Sequence, residues 1–303
     1  MSVALAVAMA QQKNVAKVCD LMPPTYLRCE YLVEPQGIDS VNPRSTWLLD
    51  SKVRGAKQSA YQILVATEKS KLSLAQGDIW NSGKVLSSET VNIPFSGKDL
   101  KSNQKVFWQV RVWDNKGQAG PWSQVASWTM GILRPNDWRA KWISYRDVSP
   151  LHTDRKNLYL PPARYFEKEF AVSKNVTRAT ISYSALGLCE LHVNGKPITQ
   201  NLFEPGWSDY TRRAYYRTQD ITSMLKPGAN AVGSLLLDGW YSGYVGYGLL
   251  VGYGPNKVGR YFYGKTPSLM AQLKIEYSDG SSDYACTDGT WKVSSDGPVR
   301  EAD

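Results

Sequence analysis

The chain has 303 residues, enough for two ordinary domains, and its 42% hydrophobic content supports packed cores and excludes a disordered protein. Its 36 basic and 27 acidic residues give a formal net charge of +9 without a dense Lys/Arg run. Charge so dispersed favours solubility, and with no helix-turn-helix, zinc-finger or single-strand-binding signature no nucleic-acid partner is expected.

Residues 1–22 read as a signal-peptide remnant and leader. A short apolar run ends at Ala8-Met9-Ala10, a small-x-small cleavage site, so export to the periplasm or the extracellular space is expected. No other stretch is apolar enough to cross a membrane. Short alternating runs bounded by Gly, Pro, Asn and Asp follow throughout, and helical periodicity is nearly absent, which predicts an all-β fold.

The first β block is expected over residues 23–131, with strands at 47–49, 61–66, 106–113 and 126–130 and a hairpin turn at Asp114-Asn115-Lys116-Gly117. Residues 132–160 form a linker with breaker clusters at Pro135-Asn136-Asp137 and Pro161-Pro162 on either side. Between them Trp138 to Ile143 reads as a docking strand.

The second block, 161–303, is expected to be a jelly roll truncated at its C-terminus, with strands at 165–172, 177–184, 189–193, 214–218, 231–237, 269–277, 284–287 and 290–293. Asn194-Gly195 and Asp279-Gly280 read as type I′ hairpin turns, and Gly297-Pro298-Val299 as the opening of one more strand. Eleven Trp and eighteen Tyr against six Phe suit both sandwich cores and surfaces that grip hydroxylated ligands.

The tract from Asp220 to Val232 joins an Asp-Ile-Thr turn, a Pro227-Gly228 break and the start of a strand. Asp238-Gly239-Trp240-Tyr241-Ser242-Gly243 follows. Trp240 and Tyr241 are either a platform for a sugar face, with Asp238 accepting hydrogen bonds from hydroxyls, or an aromatic corner that seals the sandwich edge. In Trp207-Ser208-Asp209-Tyr210-Thr211-Arg212-Arg213, Asp209 and Arg212 are either a polar clamp on a ligand beside Trp207 or an ion pair that orders the loop, with Glu204 in the same network. The stretch 243–264, with Tyr244, Tyr247, Tyr253, Tyr261 and Tyr263, reads as a long rim loop.

Cys19, Cys29, Cys189 and Cys286 show no metal spacing, and His152 and His192 are the only histidines, which excludes a His-rich metal site. No cofactor is required. Calcium, which some jelly-roll sugar modules hold through Asp, Asn and backbone oxygens, is a candidate for which the sequence names no ligands.

The first block resembles a fibronectin type III module through Trp47, the aromatic-x-Val-x-Val strand and Gly120-Pro121-Trp122-Ser123. It departs from such modules where Trp108 replaces the tyrosine-corner Tyr. Taken in order, Leu27-Arg28-Cys29-Glu30-Tyr31, Asn42-Pro43-Arg44-Ser45-Thr46-Trp47, Arg54 to Ile63, Trp108 to Asp114, Trp138 to Ile143, Val193-Asn194-Gly195, Pro205 to Tyr210 and Asp238 to Tyr241 resemble the N-terminal part of bacterial α-L-rhamnosidases of glycoside hydrolase family 78. The resemblance implies a fibronectin- or Ig-like sandwich followed by a jelly roll implicated in substrate recognition, with a rhamnose-containing glycan or glycoside as partner. It places hydrolysis in a downstream (α/α)6 barrel, where an acid and a base flank the bond. The chain has no long amphipathic helices, so no catalytic residue is expected in it. The alternative is a structural or interaction sandwich that braces such a barrel or binds another protein.

Overall fold

The computed structural model describes residues 18–148, 160–245 and 260–302. The Ala8-Met9-Ala10 motif, His152, Tyr247 and Tyr253 lie outside the described residues. The described chain falls into two compact units, one built from residues 18–35, 42–99 and 105–128, the other from 36–41, 100–104 and 129–302. Both are β-sandwiches, so the expected all-β class holds.

The first unit contains β1 (Thr25–Cys29), β2 (Arg44–Leu48), β3 (Gln58–Ala66), a one-turn α1 (Lys69–Ser73), β4 (Trp80–Asn81), β5 (Ile93–Pro94), β6 (Lys105–Asp114) and β7 (Ala126–Thr129). Two sheets form, in the orders β1-β2-β5 and β4-β3-β6-β7. The alternation in β6 sends Val106, Trp108, Val110 and Val112 inward, each at most 1% exposed. Trp108 and Trp128 meet edge to face at 6.3 Å, and Phe95 reaches Trp128 at 6.0 Å. Buried Trp47 donates its indole N–H to Gln58 Oε1. Most of this unit's aromatics are therefore core.

The turn after β6 is a three-residue loop. Asp114 N–H donates to Gln118 O, Gly117 N–H donates to Asp114 O, and Gly117 has φ +77°. Burial alone would raise the pKa of the fully buried Asp114. The backbone N–H groups of Asp20, Gln118 and Lys116 donate to its carboxylate, outweigh burial and hold it below the usual carboxylate range.

The second unit contains β8 (Arg164–Val172), β9 (Val176–Leu186), β10 (Leu188–Val193), β11 (Lys196–Pro197), β12 (Tyr216–Asp220), β13 (Gly228–Leu237), a single turn α2 (Gly239–Ser242), β14 (Ser268–Tyr277), β15 (Ser282–Cys286) and β16 (Lys292–Ser294). Its two sheets have the orders β11-β10-β13-β8-β16 and β12-β9-β14-β15. Ala179, Ile181, Tyr183 and Ala185 of β9 pack with Leu269, Ala271, Leu273 and Ile275 of β14. Phe166, Leu191, Val232 and Leu236 face them from the other sheet. The period of two fixes this register, because a slip by one residue would turn every inward side chain outward.

On the outer side of β9, Thr180, Ser182 and Ser184 are also buried. Ser182 and Thr218 join through their hydroxyls at 2.9 Å, and Ser184 Oγ donates to Tyr215 O. Gln272 Oε1 of β14 accepts the N–H groups of Arg139 and Ala140. The expected docking strand at Trp138 to Ile143 is thus a tether laid on this sheet, with a single bridge from Ile143 to Leu269.

The tract singled out between Asp220 and Val232 is closed by two asparagines. Asp220 Oδ1 accepts the N–H and hydroxyl of Thr222. Asn230, 2% exposed, accepts Lys226 N–H and donates to Lys226 O and Gly228 O. Asn194 donates to Met224 O and to Asn230 Oδ1 and accepts Ala231 N–H. Asn194 and Gly195 have φ +51° and +78°, the type I′ turn expected. Asp279-Gly280 differs. Only Gly280 is left-handed, at +81°, and Tyr277 N–H donates to Ser281 O, so three residues make the loop. Gly297 to Val299 is not a strand. Val299 N–H donates to Tyr165 Oη, and a Cβ on Gly297 would strike the Tyr165 ring.

Candidate functional site

The end of β13 turns sharply into α2. Gly239 has φ +48°, and a Cβ there would meet the Leu188 side chain at 2.6 Å, so both backbone and space demand glycine. The turn carries Trp240 and Tyr241 to the sandwich end, beside the loop that carries Trp207.

Trp207 and Trp240 stack, with ring centroids 5.9 Å apart and planes 16° apart. Phe203 leans on Trp240 at 6.0 Å. Trp240 is half-buried, whereas Trp207 is 49% exposed. The stack therefore has an inner ring that supports and an outer ring open to solvent, and Trp207 offers the flatter free surface. Tyr241 turns the other way, edge-on to Tyr210 at 5.4 Å, while Tyr263 meets Tyr210 at 5.1 Å. A Cβ on Gly264 would collide with the Tyr241 ring, which confirms how closely that ring is covered.

Asp238 is only 2% exposed. Its carboxylate pairs with Arg260, which is wholly buried, and its N–H donates to Ala302 O. The structure thus places Asp238 inside the sandwich end as an anchor rather than on the aromatic surface. No short-range pattern could reveal this, because Arg260 lies 22 residues downstream.

Asp209 organises its own loop. Its Oδ1 accepts the N–H and hydroxyl of Thr211, its carbonyl accepts the N–H groups of Arg212 and Arg213, and Ser208 Oγ closes the loop onto Arg213 O. The Thr211 bonds, chiefly, lower the Asp209 pKa. The Asp209–Arg212 ion pair spans 3.5 Å with both side chains exposed, a geometry that contributes little stability. Glu204 belongs to a neighbouring contact. It is 5% exposed and accepts Arg217 Nε at 2.9 Å. Ser208, Asp209, Arg212, Arg213 and Tyr215 line a cavity of about 480 Å³.

Phe203 and Tyr210 were not among the residues expected at the site. Both sit in an aperiodic loop, and only the aromatic density of 203–215 signals them. Of the rim-loop tyrosines, Tyr261 is buried and Tyr263 half-buried. Among the described residues no three His, Cys, Asp or Glu side chains gather to hold a metal ion, and no helix is long and apolar enough to cross a membrane.

Two domain families match in the order of the two sandwiches. Residues 24–134 match the Rha78A-like N-terminal immunoglobulin domain, and residues 174–303 the α-L-rhamnosidase N-terminal domain. The chain belongs with the N-terminal region of the α-L-rhamnosidases. An α-L-rhamnosidase of Alteromonas sp. (strain LOR) is 36% identical over 283 residues, 92% of this chain and 29% of the relative. The solved α-L-rhamnosidase from Dictyoglumus thermophilum is 33% identical with a TM-score of 0.79, covering 92% of this chain and 30% of that one. The Streptomyces avermitilis α-L-rhamnosidase complexed with L-rhamnose is 25% identical with a TM-score of 0.82, covering 93% of this chain and 42% of that one. The chain thus spans between 29% and 42% of the length of these α-L-rhamnosidases, and both of its sandwiches lie within the shared part.

Proposed function

We propose that this chain is the non-catalytic, substrate-recognition part of an exported α-L-rhamnosidase, an enzyme that removes terminal α-L-rhamnose from glycans or glycosides. The observation that carries the reading is the Trp207–Trp240 stack, with an open outer ring held rigid from behind. A deoxyhexose such as L-rhamnose presents a methyl group and a C–H face. An aromatic ring fixed in advance covers that face at small entropic cost. The likeness to an α-L-rhamnosidase solved with L-rhamnose supports the choice of sugar. Export rests on the Ala8-Met9-Ala10 pattern. Hydrolysis is assigned to a helical barrel in the length of the relatives that this chain does not span.

Incubating the purified chain with p-nitrophenyl α-L-rhamnoside, and following the sugar by ligand-observed NMR, tests both halves. Binding signals without release of p-nitrophenol are expected. Turnover by homogeneous protein would overturn the non-catalytic assignment, and an absence of binding signals would overturn recognition.

A second reading is favoured by the solvent-facing Leu202, Phe203 and Phe262, at 76%, 65% and 44% exposure. Such apolar groups suit docking onto another domain. In that case sugar would leave the Trp207 signals unchanged.

A further inference from the structure

The outer face of the five-stranded sheet carries a trough that the Trp207 surface does not use. Its volume is about 610 Å³, and its lining includes Tyr165 and Glu167 of β8, His192 of β10, Gly233 and Leu235 of β13 and Lys292 of β16. The strand register builds it. His192 and Glu167 flank Gly233 as its Cα partners on the two neighbouring strands, and Lys292 is the partner of Glu167 beyond. One row across the sheet therefore reads His192, Gly233, Glu167, Lys292. The row two residues along reads Glu190, Leu235, Tyr165, Ser294. Gly233 puts no side chain between His192 and Glu167, whose strands stand about 10 Å apart, twice the spacing of neighbouring strands.

Nothing in the fold requires that glycine. Gly233 lies in mid-strand without a left-handed φ, and a Cβ on it would meet only the Phe166 carbonyl oxygen, at an ordinary 3.4 Å. A glycine inside a strand weakens the sheet. One that neither conformation nor packing demands marks a place where another molecule approaches the backbone.

The groups around the gap are held or free in a definite pattern. Tyr165 Oη accepts Val299 N–H and Gly297 backs its ring, so the aromatic wall is fixed. His192 Nε2 meets Glu190 Oε1 at 2.7 Å. Glu167 and Lys292 are exposed cross-strand neighbours, and among the described residues neither joins an ion pair or a side-chain hydrogen bond. The trough thus offers a free carboxylate and a free ammonium side by side, next to an apolar floor.

We propose that this trough binds one neutral saccharide ring, at a site separate from Trp207. Leu235 and the bare backbone at Gly233 take the C–H face of the ring, and Tyr165 borders it. Glu167 accepts a hydrogen bond from one hydroxyl while Lys292 donates to another. The two charges cancel locally, so an anionic ligand would be opposed by Glu167 and a cationic one by Lys292. The volume lies within the usual range for small-ligand sites. This site stands on the sheet face and does not depend on the recognition reading above.

The test uses the full chain with methyl α-L-rhamnoside, methyl β-D-glucoside and methyl β-D-galactoside as probes and glycerol as an acyclic control. The imidazole C–H resonance of His192 reports binding, since His152 is the only other histidine and His192→Gln assigns the signal. At least one glycoside is expected to shift that resonance saturably, glycerol is not, and the shift should persist in Trp207→Ala. Gly233→Val fills the trough and should weaken binding by about tenfold or more, with a urea midpoint equal to or above that of the parent chain. Gly233→Ala and Glu167→Gln should each weaken it severalfold, which keeps the test independent of how Gly233→Val folds. The proposal is overturned by a His192 signal that no glycoside moves, by equal shifts from glycerol, or by affinity undiminished in the Gly233 and Glu167 variants. A shift that disappears in Trp207→Ala would assign the binding to the aromatic stack and likewise overturn a separate site.

Discussion

Trp207 stacks on Trp240 at 5.9 Å and 16°, so one indole is the wall against which the other is mounted. The two are not equivalent. Trp240→Ala removes a half-buried ring and the support for both Trp207 and Phe203, and is expected to lower stability by about 1–3 kcal/mol. Trp207→Ala removes a ring half in solvent and is expected to change stability by less than about 1 kcal/mol. Urea unfolding followed by circular dichroism measures both.

Asp238 and Arg260 form the second testable pair. Arg260 is fully buried, so Asp238→Asn removes a counter-charge from a buried cation and is expected to destabilise the second unit by about 3–5 kcal/mol. The double variant Asp238→Asn with Arg260→Met is expected to recover part of that loss, as coupled neighbours do. A ligand-contacting Asp238 would behave otherwise, with sugar binding lost and the urea midpoint unmoved.

These two pairs mark how far the sequence could be read. Alternation and turn residues made both sandwiches legible, down to the Asn194-Gly195 turn, because those signals are local. Asp279-Gly280 is not typed by sequence, because Asp-Gly fits both two-residue and three-residue loops, and only the partner of Tyr277 decides between them. Trp207 and Trp240 were each legible as exposed aromatic candidates, but the stack between them was not, since 33 residues separate them. Asp238 looked like a ligand contact because its partner comes from a distant segment. Each of these features depends on tertiary pairing, which local pattern does not carry.

Acid stability follows from Asp78. Burial alone would raise its pKa, but bonds from Lys71 and Thr67 outweigh that and hold it at about 2. A folded pKa below the ordinary value of about 4 means the native state keeps the charge when the unfolded chain gains a proton. The contribution is therefore full above about pH 4 and is lost as pH falls toward 2. Melting temperature measured across that window should fall less steeply in Asp78→Asn than in the parent chain.

The four cysteines should separate by burial. All four are free thiols whose pKa values are raised, chiefly by desolvation, Cys286 to about 11 and Cys29 to about 12. Because the thiolate is the reactive form, native protein near pH 8 should react slowly with a disulfide reagent. Peptide mapping should find Cys19 and Cys286 labelled before the buried Cys29 and Cys189. Prompt labelling of Cys189 would mean that the second sandwich opens far more readily than its packing implies.

The central claim is that the aromatic surface at the end of the second sandwich holds a deoxyhexose at Trp207. Titration of L-rhamnose into the purified chain, read by tryptophan fluorescence, tests it most directly. A saturable change that disappears in Trp207→Ala is the expected result. A flat response from the parent chain, or an undiminished one from Trp207→Ala, would contradict the account.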